Sequence, residues 1–153
     1  MILFIPVAFL AALALVVFFL LQSVKVALLG NEGWAGWRRV VVAAALACAA
    51  TATASYSLGA IGLMSTVAVA QDGGADSAPF PYDHPCRSKL QGAVGYDVHF
   101  LSLRTVCVME DGERRTVEDV PQGIRMTAAA SVACTAVLAG IAWAARPRAA
   151  VTA

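Results

Sequence analysis

The chain has 153 residues, of which 59% are hydrophobic and 14% charged, and its formal net charge is +1. Such a composition excludes an ordinary soluble domain of this length and belongs to a membrane protein. The small net charge hides a segregation, because nine of the ten acidic residues lie in residues 71–125; global charge gives no reason to expect nucleic-acid binding, and local charge carries topological information.

Residues 1–22 open the chain with no charged side chain, and about 20 apolar residues suffice to cross the hydrocarbon core as a helix. Bulky Leu, Phe and Val side chains suit contact with lipid tails, and Pro6 falls in the first turns, where a missing amide donor costs least. A secretory signal peptide would need a basic region before the apolar run and a small-residue cleavage site after it; neither is present. The expectation is an uncleaved first transmembrane helix.

Residues 23–39 follow as a short connection that carries Lys25, Glu32, Arg38 and Arg39 and is broken by Gly30, Gly33 and Gly36. Trp34 and Trp37 beside the arginines mark a membrane interface, where indole rings sit at headgroup depth.

Residues 40–70 are again free of charge. As one helix they would measure about 46 Å, more than the hydrocarbon thickness. The span is placed near residues 40–64, with the Ser, Thr and Gly cluster of residues 51–62 as its softer half and the remainder approaching the surface. Cys48 lacks the leucine three residues earlier that a lipoprotein would carry, and reads as a packed small side chain. Ala68, Val69 and Ala70 resemble a signal-peptidase site, and cleavage there is the rival to an intact second span.

Residues 71–125 are the one long polar segment, and any specific recognition is expected there. Residues 71–85, with Pro79, Pro81 and Pro85, read as a loop. Tyr96, Val98 and Phe100 alternate with Asp97 and His99, the period-two pattern of a half-buried strand. Thr105 to Met109 is rich in strand formers, Asp111-Gly112 is a two-residue hairpin signal, and Arg114 to Val117 can return along it. A small antiparallel sheet follows, and Pro121 to Gly123 turns the chain back.

Residues 126–145 form a third apolar helix closed by Trp143, and residues 146–153 form a tail with Arg146, Pro147 and Arg148. Small residues in the second and third spans permit close backbone approach, and Cys134 reads as another of them. With the connection at residues 23–39 and the tail in the cytoplasm, that side receives Lys25, Arg38, Arg39, Arg146 and Arg148, as the positive-inside rule prefers. The N-terminus then lies outside, and the polar segment is extracytoplasmic.

An oxidising compartment gives Cys86 and Cys107 a meaning, since a bridge between them closes a loop of about twenty residues and contributes ~3 kcal/mol in the chain-entropy model. A segment of some fifty residues buries too little apolar surface to dispense with such a crosslink. The expected fold is therefore three transmembrane helices plus a small disulfide-tied antiparallel sheet between the second and third.

His84, Cys86, His99 and Cys107 are the residue types of a zinc site, but no short CxxC or HxxxH pair positions them, and a disulfide with two exposed histidines is the better reading. No cofactor is expected. The acidic residues are scattered over turns and strands, without a hydrolase-like spacing. Arg87, Lys89 and Arg104 form a mixed-charge surface able to meet an acidic partner. No ionisable side chain lies within the three expected spans, which argues against a transport path.

The run Ser77-Ala78-Pro79, Pro85-Cys86-Arg87, Tyr96 to Cys107 and Asp111-Gly112 resembles a group of small actinobacterial membrane proteins of unknown function. In that group two cysteines flank a tyrosine-containing strand ending in Leu-Pro-Leu-Arg; here Ser102 stands in place of the proline. Gly33 to Arg39 is similar to the group's N-terminal region, and the high-alanine, low-lysine composition fits a GC-rich bacterium. The resemblance implies the same topology and the Cys86–Cys107 bridge, and no activity. Two functions follow: a non-enzymatic accessory protein of the plasma membrane, displaying the tied loop to a larger membrane complex, or a thiol-disulfide redox component that uses Cys86 and Cys107.

Overall fold

The computed structural model describes residues 4–29, 36–72, 81 and 84–145. In chain order these form α1 (Phe4–Leu29), α2 (Gly36–Asp72), α3 (Pro85–Lys89), β1 (Ala93–His99), β2 (Arg104–Met109), β3 (Arg114–Val117) and α4 (Gln122–Ala144). Three of the helices are long and apolar enough to cross a membrane. The chain divides into two compact units, one built from Ser55–Met126 with the start of α1 up to Phe9, the other from Leu10–Ala54 with the chain from Thr127 onward.

The second unit is helical. The α1 helix is apolar on every side, and its best hydrophobic window has no residue buried within the protein. By length and composition such a helix is able to cross a membrane. It runs beyond the expected boundary at residue 22 to Leu29, because Gln22, Ser23 and Lys25 do not break a helix. The Ser23 hydroxyl donates to the Ala43 carbonyl of α2 at 2.8 Å.

The α2 helix has 37 residues, about 55 Å of length. Its Ser, Thr and Gly cluster stays helical because the hydroxyls bond back into the helix. Thr51 and Thr53 donate to the carbonyls of Ala47 and Ala49, and Ser65 and Thr66 both donate to that of Gly62. Side chains satisfied in this way carry little polar penalty in an apolar medium.

The first unit holds a three-stranded antiparallel meander in the order β1-β2-β3. Tyr96 pairs with Cys107, Val98 with Thr105 and His99 with Arg104, with an irregularity between Ala93 and Gly95. Cys107 in turn pairs with Arg115, and Thr105 with Val117. The β2–β3 connection is a three-residue loop, not the two-residue turn expected: the Met109 amide donates to Glu113 O at 2.9 Å, and Gly112 has φ +81°. A type I turn completed by a left-handed residue needs glycine there, and the extra residue is its usual companion.

Alternation decides which sheet face is covered. Tyr96, Val98, Thr105, Cys107 and Val117 share one face. Toward one end it packs on Cys86 of α3 and on Leu90. Toward the other, Leu103 and Val120 pack on Leu63 of α2, with Val98 and Ile124 beside them. The opposite face carries Asp97, His99, Arg104 and Thr116, all exposed.

Candidate functional site

The polar segment brings its chemistry-bearing side chains into the interior of the first unit. Pro85 opens α3, where a missing amide proton costs nothing, and His84 caps it: the Nδ1 atom accepts from the Cys86 amide at 3.2 Å. That bond fixes the Nδ1 position as an acceptor and so favours the neutral ring. Cys86 faces Cys107 on β2 at disulfide distance, with the Cα atoms 5.6 Å apart, within the range such bridges occupy. The His84 ring leans on Tyr96 with the centroids 4.7 Å apart.

Both sulfurs and His84 are completely buried. This corrects the expectation of two exposed histidines: His99 is exposed and lies 3.6 Å from Asp97, whereas His84 is enclosed. The sequence places His84 in a proline-rich loop, and the burial comes from α3, a five-residue helix that no periodicity announces. Burial pushes the His84 pKa below its ordinary value, and the Asp119 carboxylate opposes part of that shift.

A second polar cluster lies beside the first. Asp119 Oδ2 accepts a short hydrogen bond from Thr66 of α2 and a longer one, 3.4 Å, from Thr105 of β2. Thr105 is completely buried and Thr66 nearly so. One carboxylate thus ties the helix to the middle strand in a setting where an unmatched hydroxyl would be costly. A few residues on, Arg125 reaches back from the first turn of α4 to Glu118 at 2.8 Å.

The expected contact residues are spread over two elements. Arg87 and Lys89 stand on α3, and the Lys89 ammonium donates to the Glu118 carbonyl at 2.6 Å. Arg104 stands at the other end of the sheet, opposite His99. Among the expected interface anchors, Trp37 and Trp143 are exposed, and Trp34 lies outside the described residues. The expected loop at residues 71–85 is described only in part: Gln71 and Asp72 complete α2, and Pro85 begins α3.

Two features escaped the sequence. Cys48 and Cys134, each read as a packing residue, meet: their sulfurs are 3.1 Å apart between α2 and α4. Nothing in the spacing of single cysteines on two helices could show this. Near them, Arg38, Val42, Ala45, Ala139 and Trp143 line an open groove of about 720 Å³.

Among the described residues no group of three or more His, Cys, Asp or Glu side chains is arranged to hold a metal ion. The site is thus an interior of a sulfur pair at disulfide distance, an imidazole whose pKa burial lowers and a carboxylate shared by two threonines, with a charged sheet face turned outward. Comparison with family models, curated proteins and solved structures found no match to this chain.

Proposed function

We propose that this chain is a three-span membrane protein that displays a disulfide-tied head outside the plasma membrane to a partner in a larger membrane complex, and that it has no catalytic role of its own. The N-terminus lies outside and the C-terminus in the cytoplasm. The observation that carries this reading is the zero exposure of Cys86, Cys107 and His84. The residues best able to do chemistry are spent on holding the head together, while the surface offered to a partner is the outward sheet face with Asp97, His99, Arg104 and Thr116.

The same burial counts against the redox alternative. Thiol-disulfide exchange requires in-line approach of a thiolate to one sulfur of the pair, and a catalytic cysteine sits in a partly exposed, electropositive environment. Orientation is supported by the basic residues Lys25, Arg38 and Arg39 of the first connection and Arg146 and Arg148 of the tail. The likeness to small actinobacterial membrane proteins is part of this proposal.

Graded reduction of intact cells followed by thiol labelling tests the choice. A display role expects Cys86 and Cys107 to stay unlabelled under mild reductant and to label only after the head is unfolded. Rapid labelling under mild reductant, with reoxidation when it is withdrawn, would overturn the display reading in favour of a redox component.

A further inference from the structure

The β1–β2 turn, residues 100–103, has the most lopsided packing in the head. Leu103 is only 3% exposed. It adopts φ +51°, a conformation that a leucine rarely takes, and its side chain fits against Gly59 of α2, where a Cβ would approach within 2.7 Å. The Tyr56 hydroxyl donates to the Phe100 carbonyl at 3.2 Å. Between these two anchors Leu101 is 96% exposed, and Phe100 is 39% exposed. A turn held firmly at both ends projects Leu101 away from the protein, with Phe100 partly exposed beside it.

Direction follows from the contacts along α2. Thr105 connects through Asp119 to Thr66, Leu103 meets Gly59, and Phe100 meets Tyr56. Moving from strand to turn thus descends α2 by ten residues, about 15 Å, toward its N-terminal half. Leu58, next to Gly59 on α2, and Met126 are both more than half exposed, and Met126 begins the charge-free run of α4. At the base of the turn, His99 pairs with Arg104, so a cationic side chain sits one rung behind the apolar tip.

We infer that the Phe100-Leu101 turn dips into the outer leaflet of the bilayer, with Arg104 at the level of the lipid phosphates. The inference rests on the three-span reading and extends it from the helices to the head. Apolar side chains entering the interface with a basic residue behind them are the arrangement by which peripheral segments hold a lipid surface. Leu101 gains nothing from its exposure in water, whereas in the interface its burial is favourable. The head is thereby tethered at a third point besides α2 and α4, which sets the orientation of the outward sheet face.

The test uses the full chain with Cys48→Ala and Cys134→Ala, reconstituted in phosphatidylcholine and phosphatidylglycerol vesicles. An environment-sensitive fluorophore is attached in turn to Leu101→Cys, Glu110→Cys and Val137→Cys. Leu101 is so exposed that its replacement leaves the fold intact. The expected result is a blue-shifted Leu101 probe that loses most of its emission to a nitroxide on the upper acyl chain and little to aqueous iodide. The Glu110 probe, on the hairpin at the other end of the sheet, shows the reverse, and the Val137 probe reports lipid. A Val137 probe in lipid with a Leu101 probe open to iodide overturns the inference and leaves the three spans standing. A Val137 probe in water overturns the spans and the inference with them. A Leu101 probe shielded in native membranes but open to iodide in pure lipid means that a protein covers the turn, which also overturns it.

Discussion

Burial disfavours the charged form of His84 and lowers its pKa in the folded head, and the consequence for stability has a definite sign. Below the ordinary value of 6.5 the unfolded chain binds a proton that the folded head resists, so stability is full above about pH 6.5 and falls as pH drops toward the lowered folded value. Measured as resistance of the head to protease in mild detergent, wild type is expected to weaken as pH falls below 6.5. His84→Asn keeps an acceptor for the Cys86 amide and removes the titration, so its profile in that window is expected to be flatter; an unchanged slope would show that another group is responsible. Gly59 offers a purely steric test. A Cβ there meets Leu103 at 2.7 Å, whereas one at Gly62 meets Val120 only at 4.0 Å. Leu103 is buried against Leu63 and Val120, so it has little room to swing away. Gly59→Ala is expected to destabilise the head by about 1–3 kcal/mol, the scale of overpacking, and Gly62→Ala to leave it unchanged or slightly firmer. Equal effects would contradict the close fit. Neither position was legible in the sequence, where both read as softness in an apolar run, because a contact across 44 residues leaves no local pattern.

At the scale of elements, the strands were the most legible part of the head and α3 the least. Alternation of Tyr96 and Val98 with Asp97 and His99, and the Asp111-Gly112 signal, correspond to β1, β2 and β3, since a half-buried antiparallel sheet writes its period directly into the chain. Phe100, expected to continue β1, instead lies in the turn. The helix α3 has five residues, too few for any period, and depends on the proline start and on Cys86. The C-terminal part of α2 packs against the head through Leu63 and Thr66, an engagement hidden from sequence because Thr66 finds its partner in Asp119, 53 residues away. Asp119→Ala leaves both hydroxyls without that carboxylate, at a cost of about 1–3 kcal/mol for the buried pair. Faster proteolysis within the strands is the expected readout, with Glu113→Ala, at an exposed position, as the neutral comparison. Replacing both Cys86 and Cys107 by Ser removes a crosslink over a separation of 21 residues. The chain-entropy model assigns it ~3 kcal/mol, enough to make so small a head unfold locally. Hydrogen exchange in β1 and β2 is expected to rise while exchange within the α1 span stays unchanged; protection of β1 and β2 at the wild-type level would show that the packing suffices alone.

For the whole molecule, hydropathy made the three long helices legible, but their ends were not. The chain's first polar residues, Gln22 and Ser23, looked like a boundary, yet α1 runs to Leu29, because a helix is ended by glycine or proline and not by polarity alone. Membrane crossing and orientation enter through the proposal, on the strength of the apolar, unburied face of α1 and the basic residues Lys25, Arg38, Arg39, Arg146 and Arg148. In that proposal the crosslinked head stands on the oxidising side of the bilayer. Thr116→Cys on the exposed sheet face, in the Cys48→Ala and Cys134→Ala background, tests it directly with a membrane-impermeant maleimide. Labelling of intact cells, with no increase on permeabilisation, is the expected result; labelling that appears only after the membrane is opened would place the head in the cytoplasm and contradict the account.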